Sequence, residues 1–195
     1  MKILPDGSFG DLLMVIDMQN VYLEGQPWQC VATSQTVKKI QKLLDYHAPD
    51  NVLFTKFVPS KHPVGTWEQY NRKNINISKN LWMIDIIEEL KQYLEVYPIF
   101  TKHAYSAYTD KEVARIASRA RRVLLAGVVA ECCVLFSLLS GIDAGNKMIY
   151  LADACSGSSK EHEQFIAQIA GYYQTTHTQV MTCREYLQER GCIID

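Results

Sequence analysis

Short apolar runs alternate with segments of helical period along this chain, and that alternation most narrows the folds open to it. Leu12–Ile16, Val52–Phe54, Val96–Phe100, Val123–Ala126, Met148–Ala152 and the weaker Gln179–Met181 read as strands. Ser34–Tyr46, Asp85–Leu94, Lys111–Ala120, Glu131–Ala144, Ser159–Tyr173 and Arg184–Glu189 read as helices between and after them. Strands that are apolar without a break are covered on both faces, which calls for a parallel sheet between helices. Right-handed crossovers leave few ways to connect it. The expectation is a three-layer α/β/α, doubly wound, mostly parallel six-stranded sheet of Rossmann-like form. Pro98 cannot donate to a ladder, so the third strand belongs at an edge. Glu131–Ala144 is almost wholly apolar and should be buried on most sides. Ser158 or Ser159, followed by acids, suits a helix start.

The 195 residues fit one domain, 1–195, without repeats or linkers. Residues 56–82 carry little periodicity, two prolines and Trp67, Tyr70 and Trp82. A connection that long reads as a loop or lid over a binding site. Lysine and arginine number 20 against 21 acids, a net charge of −1, which argues against nucleic acid as a partner. With 48% hydrophobic and 21% charged residues, the chain is not intrinsically disordered. No apolar stretch nears the ~20 residues of a bilayer span, and Met1–Asp11 lacks the apolar region of a secretory signal. A cytoplasmic protein without a membrane partner is expected.

Six cysteines stand at 30, 132, 133, 155, 183 and 192, with no CxxC pair. Adjacent cysteines are poorly spaced for zinc or an unstrained disulfide. Reduced thiols are expected, one of them reactive.

Open α/β sheets bind ligands beyond the carboxyl ends of their strands. Strand one delivers Asp17 and Gln19 there, strand three Lys102, and strand four Gly127 with Cys132 and Cys133 at a helix opening. A helix N-terminus and an ammonium both favour a thiolate, the nucleophilic form of cysteine. A carboxylate could take the thiol proton and return it to a leaving amine, while turn amides hold an oxyanion. Spacing alone does not choose between Cys132 and Cys133.

Four blocks carry a resemblance: Val15-Ile-Asp-Met-Gln-Asn20, Thr101-Lys-His-Ala-Tyr-Ser-Ala-Tyr108, Leu125-Ala-Gly-Val-Val-Ala-Glu-Cys-Cys-Val134 and Tyr150-Leu-Ala-Asp-Ala-Cys155. In this order they resemble the isochorismatase-like cysteine hydrolases, the relatives of nicotinamidases and N-carbamoylsarcosine amidases. The resemblance implies Cys133 as nucleophile, Asp17 as proton acceptor and Lys102 as third member. It implies a cis peptide at Val129–Ala130 that turns the amides of Ala130 and Cys133 towards one oxyanion. It also implies a homo-oligomer and hydrolysis of a C–N bond in a small amide or ureido compound. Where nicotinamidases carry metal ligands after strand two, this chain has Phe57 and a solitary His62, so no metal or other cofactor is expected. Two other readings are a vinyl ether hydrolase, whose relatives lack the cysteine, and an idle binding protein on the same fold. Gln19, Tyr22, Trp67 and Tyr105 are the expected pocket residues, with Trp28, Tyr70, Trp82, Tyr108 and His103 behind them, suiting a flat or apolar substrate.

Overall fold

The computed structural model describes residues 10–192; the ends of the domain read over 1–195, and most of the polar start Met1–Asp11, lie outside the described residues. Strands β1 (Asp11–Ile16), β2 (Asn51–Phe57), β3 (Ile99–Lys102), β4 (Arg122–Val128), β5 (Met148–Ser156) and β6 (Thr178–Met181) form one sheet in the order β3-β2-β1-β4-β5-β6. Every neighbouring pair is parallel. This is the doubly wound order, and its direction reverses between β1 and β4. β3 lies at the edge and starts only after Pro98, whose carbonyl accepts from Phe54 N at 2.9 Å.

The helices are α1 (Thr33–Asp45), α2 (Thr66–Lys73), α3 (Ile75–Lys79), α4 (Glu88–Lys91), α5 (Lys111–Ala117), α6 (Leu135–Asp143), α7 (Lys160–Tyr172) and α8 (Cys183–Glu189). Side chains alternate along β1, because successive residues of a strand face opposite sides. Leu13 and Val15 join α1 and α8 in one core, while Leu12, Met14 and Ile16 join α5, α6 and α7 in the other.

Three expectations change. Residues 56–82 are not a plain loop, because they hold two helices, α2 and α3. The helix expected over Asp85–Leu94 shrinks to α4 and a 3-10 turn, Gln92–Glu95. Its first residues instead pair with the chain after β1: Asn20 N donates to Asp85 O (3.0 Å) and Ile87 N to Met18 O (2.9 Å). The third is α6, which buries Ser137, Leu138 and Gly141 but leaves Phe136 at 49% and Leu139 at 37% exposure.

One glycine sets the spacing at the switch point. Gly127 has φ +128°, and a Cβ there would lie 2.1 Å from Ile16 O. β4 therefore presses its end against the end of β1, just before Asp17. Gly127→Ala is expected to lower the urea midpoint at unchanged m-value, equivalent to at least about 2 kcal/mol. A midpoint within error of the parent would show that the two strands tolerate separation.

Candidate active site

Asp17 leaves β1 with φ +50°, a left-handed conformation that aspartate tolerates better than most residues. Its amide donates to Thr55 O at 3.1 Å, and its Oδ1 accepts from Thr55 Oγ1 at 2.8 Å. Its Oδ2 lies 2.6 Å from Lys102 Nζ. Lys102 ends β3, two strands away, and also donates to Ala104 O at 2.9 Å. Exposure is 0% for Asp17 and 2% for Lys102, so the pair lies in the low-dielectric interior. Burial works against the lysine's charge, but the Asp17 carboxylate beside it holds Lys102 above the ordinary lysine range.

Cys133 arrives from the other side of the switch point and is 3% exposed. Its thiol is within hydrogen-bonding reach of both Asp17 and Lys102. No hydrogen bond joins Cys132 to either, although it lines the same cavity. The helix expected from Glu131 begins instead as a π turn, Ala130–Val134. Val129 O accepts from Cys132 N (3.0 Å) and Val134 N (3.2 Å), and Ser137 Oγ donates to Cys133 O (2.7 Å). The cis peptide is Val128–Val129, one residue earlier than expected. β4 ends at Val128 and the π turn opens at Ala130, so the reversal falls between them.

The electrostatics correct a further expectation. Burial, then the Asp17 carboxylate, push the Cys133 thiol well above its ordinary range, and Lys102 offsets only part of this. The resting group is a thiol facing a carboxylate, because two buried anions cannot share the site with one ammonium.

Above the thiol lies a cavity of about 320 Å³, whose walls include Tyr22, Trp28, Tyr70, Tyr105, Val129 and Glu131. Of the residues expected to form a pocket, Tyr22 and Tyr105 line this cavity. Gln19 does not: its side chain clamps the main chain, donating to Phe57 O (3.0 Å) and Ile84 O (2.7 Å) and accepting from Phe57 N (2.8 Å). Trp67 stands behind the wall, edge-on to Tyr105 with ring centroids 5.0 Å apart. Trp82 is exposed, and Tyr108 turns its hydroxyl to Asn146 at 2.8 Å. His103 lines a second cavity with His62.

Supporting residues were overlooked. Thr55 sits beside Asp17 because β2 pairs with β1, a neighbour that strand order alone would have revealed. Glu131 Oε1 accepts from Ser158 N (3.1 Å) and Ser158 Oγ, and lies 3.1 Å from His162 Nδ1. These contacts tie the π turn to the start of α7. Burial opposes the charge on Glu131, but the Ser158 hydrogen bonds keep its carboxyl below the usual range.

The stretch after β2 does not suit a metal. The Phe57 ring packs against Trp28 (6.4 Å), Trp67 (6.1 Å) and Tyr70 (6.2 Å), and His62 is exposed. Among the described residues no group of three His, Cys, Asp or Glu side chains is placed to hold an ion.

A parallel sheet with a buried carboxylate, ammonium and thiol at its switch point places this chain among the doubly wound α/β proteins. The family model for the isochorismatase domain matches residues 11–181. The chain therefore belongs to the isochorismatase-like hydrolase family. A cysteine hydrolase from Pseudomonas syringae pv. phaseolicola 1448A has a similar structure, with TM-score 0.80 and 19% identity over 94% of this chain and 93% of that one. An isochorismatase-like hydrolase from Alkaliphilus metalliredigens gives TM-score 0.71 and 22% identity over 92% and 98%. The pyrazinamidase of Pyrococcus horikoshii, in complex with zinc, gives 0.62 and 20% over 88% and 98%. No curated protein matches this sequence.

The thiol's environment has a measurable sign. Alkylation of Cys133 by iodoacetamide is expected to be slow at pH 7 and to keep rising past pH 9. Lys102→Met should slow it throughout, whereas Asp17→Asn, which removes the repelling anion, should speed it roughly tenfold at pH 7. A rate that levels off below pH 8 in the parent protein would contradict this assignment.

Proposed function

We propose that this chain hydrolyses a C–N bond of a small amide or ureido compound through a thioester on Cys133, without a metal. What supports this most is the convergence of Asp17, Lys102 and Cys133, each at most 3% exposed, with Cys133 lining the cavity above them. Folding does not call for that trio, since apolar residues of equal size would avoid the desolvation of two charges.

In this reading Asp17, paired with Lys102 and hydrogen-bonded by Thr55, takes the Cys133 proton as Sγ attacks the carbonyl carbon. Thiol deprotonation and attack are coupled, which suits a thiol whose pKa lies above neutrality. The carbonyl oxygen becomes an oxyanion, and the amides of Ala130 and Cys133 in the π turn donate to it. Asp17 passes its proton to the departing nitrogen, the C–N bond breaks, and ammonia or an amine leaves. A water then attacks the thioester while Asp17 accepts its proton. The C–S bond breaks, Sγ regains the proton, and a carboxylic or carbamic acid is released. Lys102 stays charged throughout, lowering the energy of the extra negative charge in the pocket.

The same reading holds the protein to be a cytoplasmic homo-oligomer, for which Phe136 and Leu139 on α6 offer exposed apolar side chains. Sedimentation should then show a species larger than the monomer; a monomer at all concentrations rejects that part.

Ammonia release from a panel of amides, ureido acids and lactams tests the chemistry. At least one should turn over, and Cys133→Ala should lower kcat by a factor of roughly a thousand or more. Asp17→Asn should lose turnover to a similar degree even though it alkylates faster. Turnover by Cys133→Ala at the parent rate would rule out the thioester.

A further inference from the structure

Three tyrosines elsewhere in the molecule engage their hydroxyls, whereas that of Tyr150 is buried without a partner. Tyr93 donates to Asp45 (2.5 Å), Tyr108 to Asn146 (2.8 Å) and Tyr186 to Asp11 (3.1 Å). The three that line the cavity above Cys133 do not: among the described residues, the hydroxyls of Tyr22, Tyr70 and Tyr105 have no hydrogen-bond partner. Tyr22 is the sharpest case, because it is only 3% exposed. A hydroxyl that lines a cavity and has no protein partner is free to hydrogen-bond a ligand there.

The three rings run along one wall. Tyr22 packs on Trp28 at 5.8 Å, Trp28 on Tyr70 at 6.3 Å, and Tyr70 on Tyr105 at 6.3 Å. Tyr22 and Cys133 line the same cavity, which places the Tyr22 ring beside the reacting groups. Burial keeps its hydroxyl protonated at neutral pH, so it can donate as well as accept. No lysine or arginine lines the cavity, and Glu131 is its one carboxylate. A negatively charged acyl group would enter an aromatic pocket with nothing to pair it.

We propose that Tyr22, with Tyr70 and Tyr105 beyond it, reads the acyl half of the substrate, selecting uncharged amides whose apolar acyl group carries a hydroxyl or another neutral hydrogen-bonding group and rejecting those that end in a carboxylate. This names a substrate class and rests on the Cys133 hydrolase reading, but ligand binding tests it apart from turnover.

The experiment uses the Cys133→Ala protein, which cannot form the thioester, and follows Trp28 and Trp67 fluorescence on titration with 3-hydroxybenzamide, benzamide and 3-carbamoylbenzoate. The hydroxyl probe should bind roughly fivefold tighter than benzamide, and the anionic probe at least about tenfold weaker. Adding Tyr22→Phe, which keeps the ring and removes only the oxygen, should bring the first two within about twofold. Tyr70→Phe and Tyr105→Phe show whether the preference sits on those hydroxyls instead. Equal binding of the three probes, tightest binding of the anion, a preference that survives all three phenylalanine variants, or no saturable binding would each overturn the proposal. If the probes bind in the expected order but the parent protein hydrolyses no amide, the hydrolase reading fails and this one stands. If the parent hydrolyses amides and the order is lost, only this one falls.

Discussion

A carboxylate and an ammonium 2.6 Å apart, both sealed from water, are the constraint around which the rest of this molecule is arranged. Burying two ions costs several kcal/mol each, and their attraction repays this only when the remaining donors and acceptors are also met. Here they are: Thr55 donates to the free oxygen of Asp17, and Ala104 accepts from Lys102. Cys133 completes the set. Removing either ion would leave the other uncompensated, so Asp17 and Lys102 stand or fall together.

The sheet explains why such a pair can exist. β1 and β3 flank β2, so Asp17 and Lys102 approach each other across the end of one strand. On the other side of β1, Gly127 lets β4 close in, and the cis peptide and π turn swing Cys133 back over the same point. Asp17 and Lys102 reach the site from strand ends, and Cys133 reaches it from the π turn that follows β4. The Gln19 side chain adds rigidity by bridging the ends of β1 and β2 to the segment before α4.

The pocket is made differently. Beneath it lie the paired charges of Asp17 and Lys102, whereas its walls are largely aromatic and offer unengaged hydroxyls. Glu131 belongs to the floor in function, because its carboxylate anchors the turn that carries Cys133 to Ser158 and the first turn of α7. A rigid base beneath an adaptable wall lets one set of reacting groups be paired with different acyl recognition. Helix α2, in the stretch that looked like a loop, places Tyr70 in the wall and Trp67 behind it.

Much of the fold was legible in the residues alone. Unbroken apolar runs such as Leu12–Ile16 and Val123–Ala126 announce strands covered on both faces, and Pro98 marks the edge, because burial and hydrogen-bonding capacity are properties of local sequence. The residue types able to do acyl chemistry were visible at the strand ends for the same reason. What stayed hidden depends on partners distant along the chain. The amide of Gln19 looked free to meet a substrate until the backbones of Phe57 and Ile84 claimed it. Asp85–Ile87 looked helical until pairing with residues 18–20 proved the better use of their main chain. The direction of the Cys133 shift reversed for the same cause: a helix start and a lysine favour a thiolate, yet burial and Asp17 outweigh both. Sequence by itself determined which chemistry was at hand and the kind of sheet that would carry it, since these follow from side-chain composition and period. Only the tertiary structure decided which groups face one another and in what state of ionisation, since desolvation and pairing are set by neighbours that the chain order does not reveal.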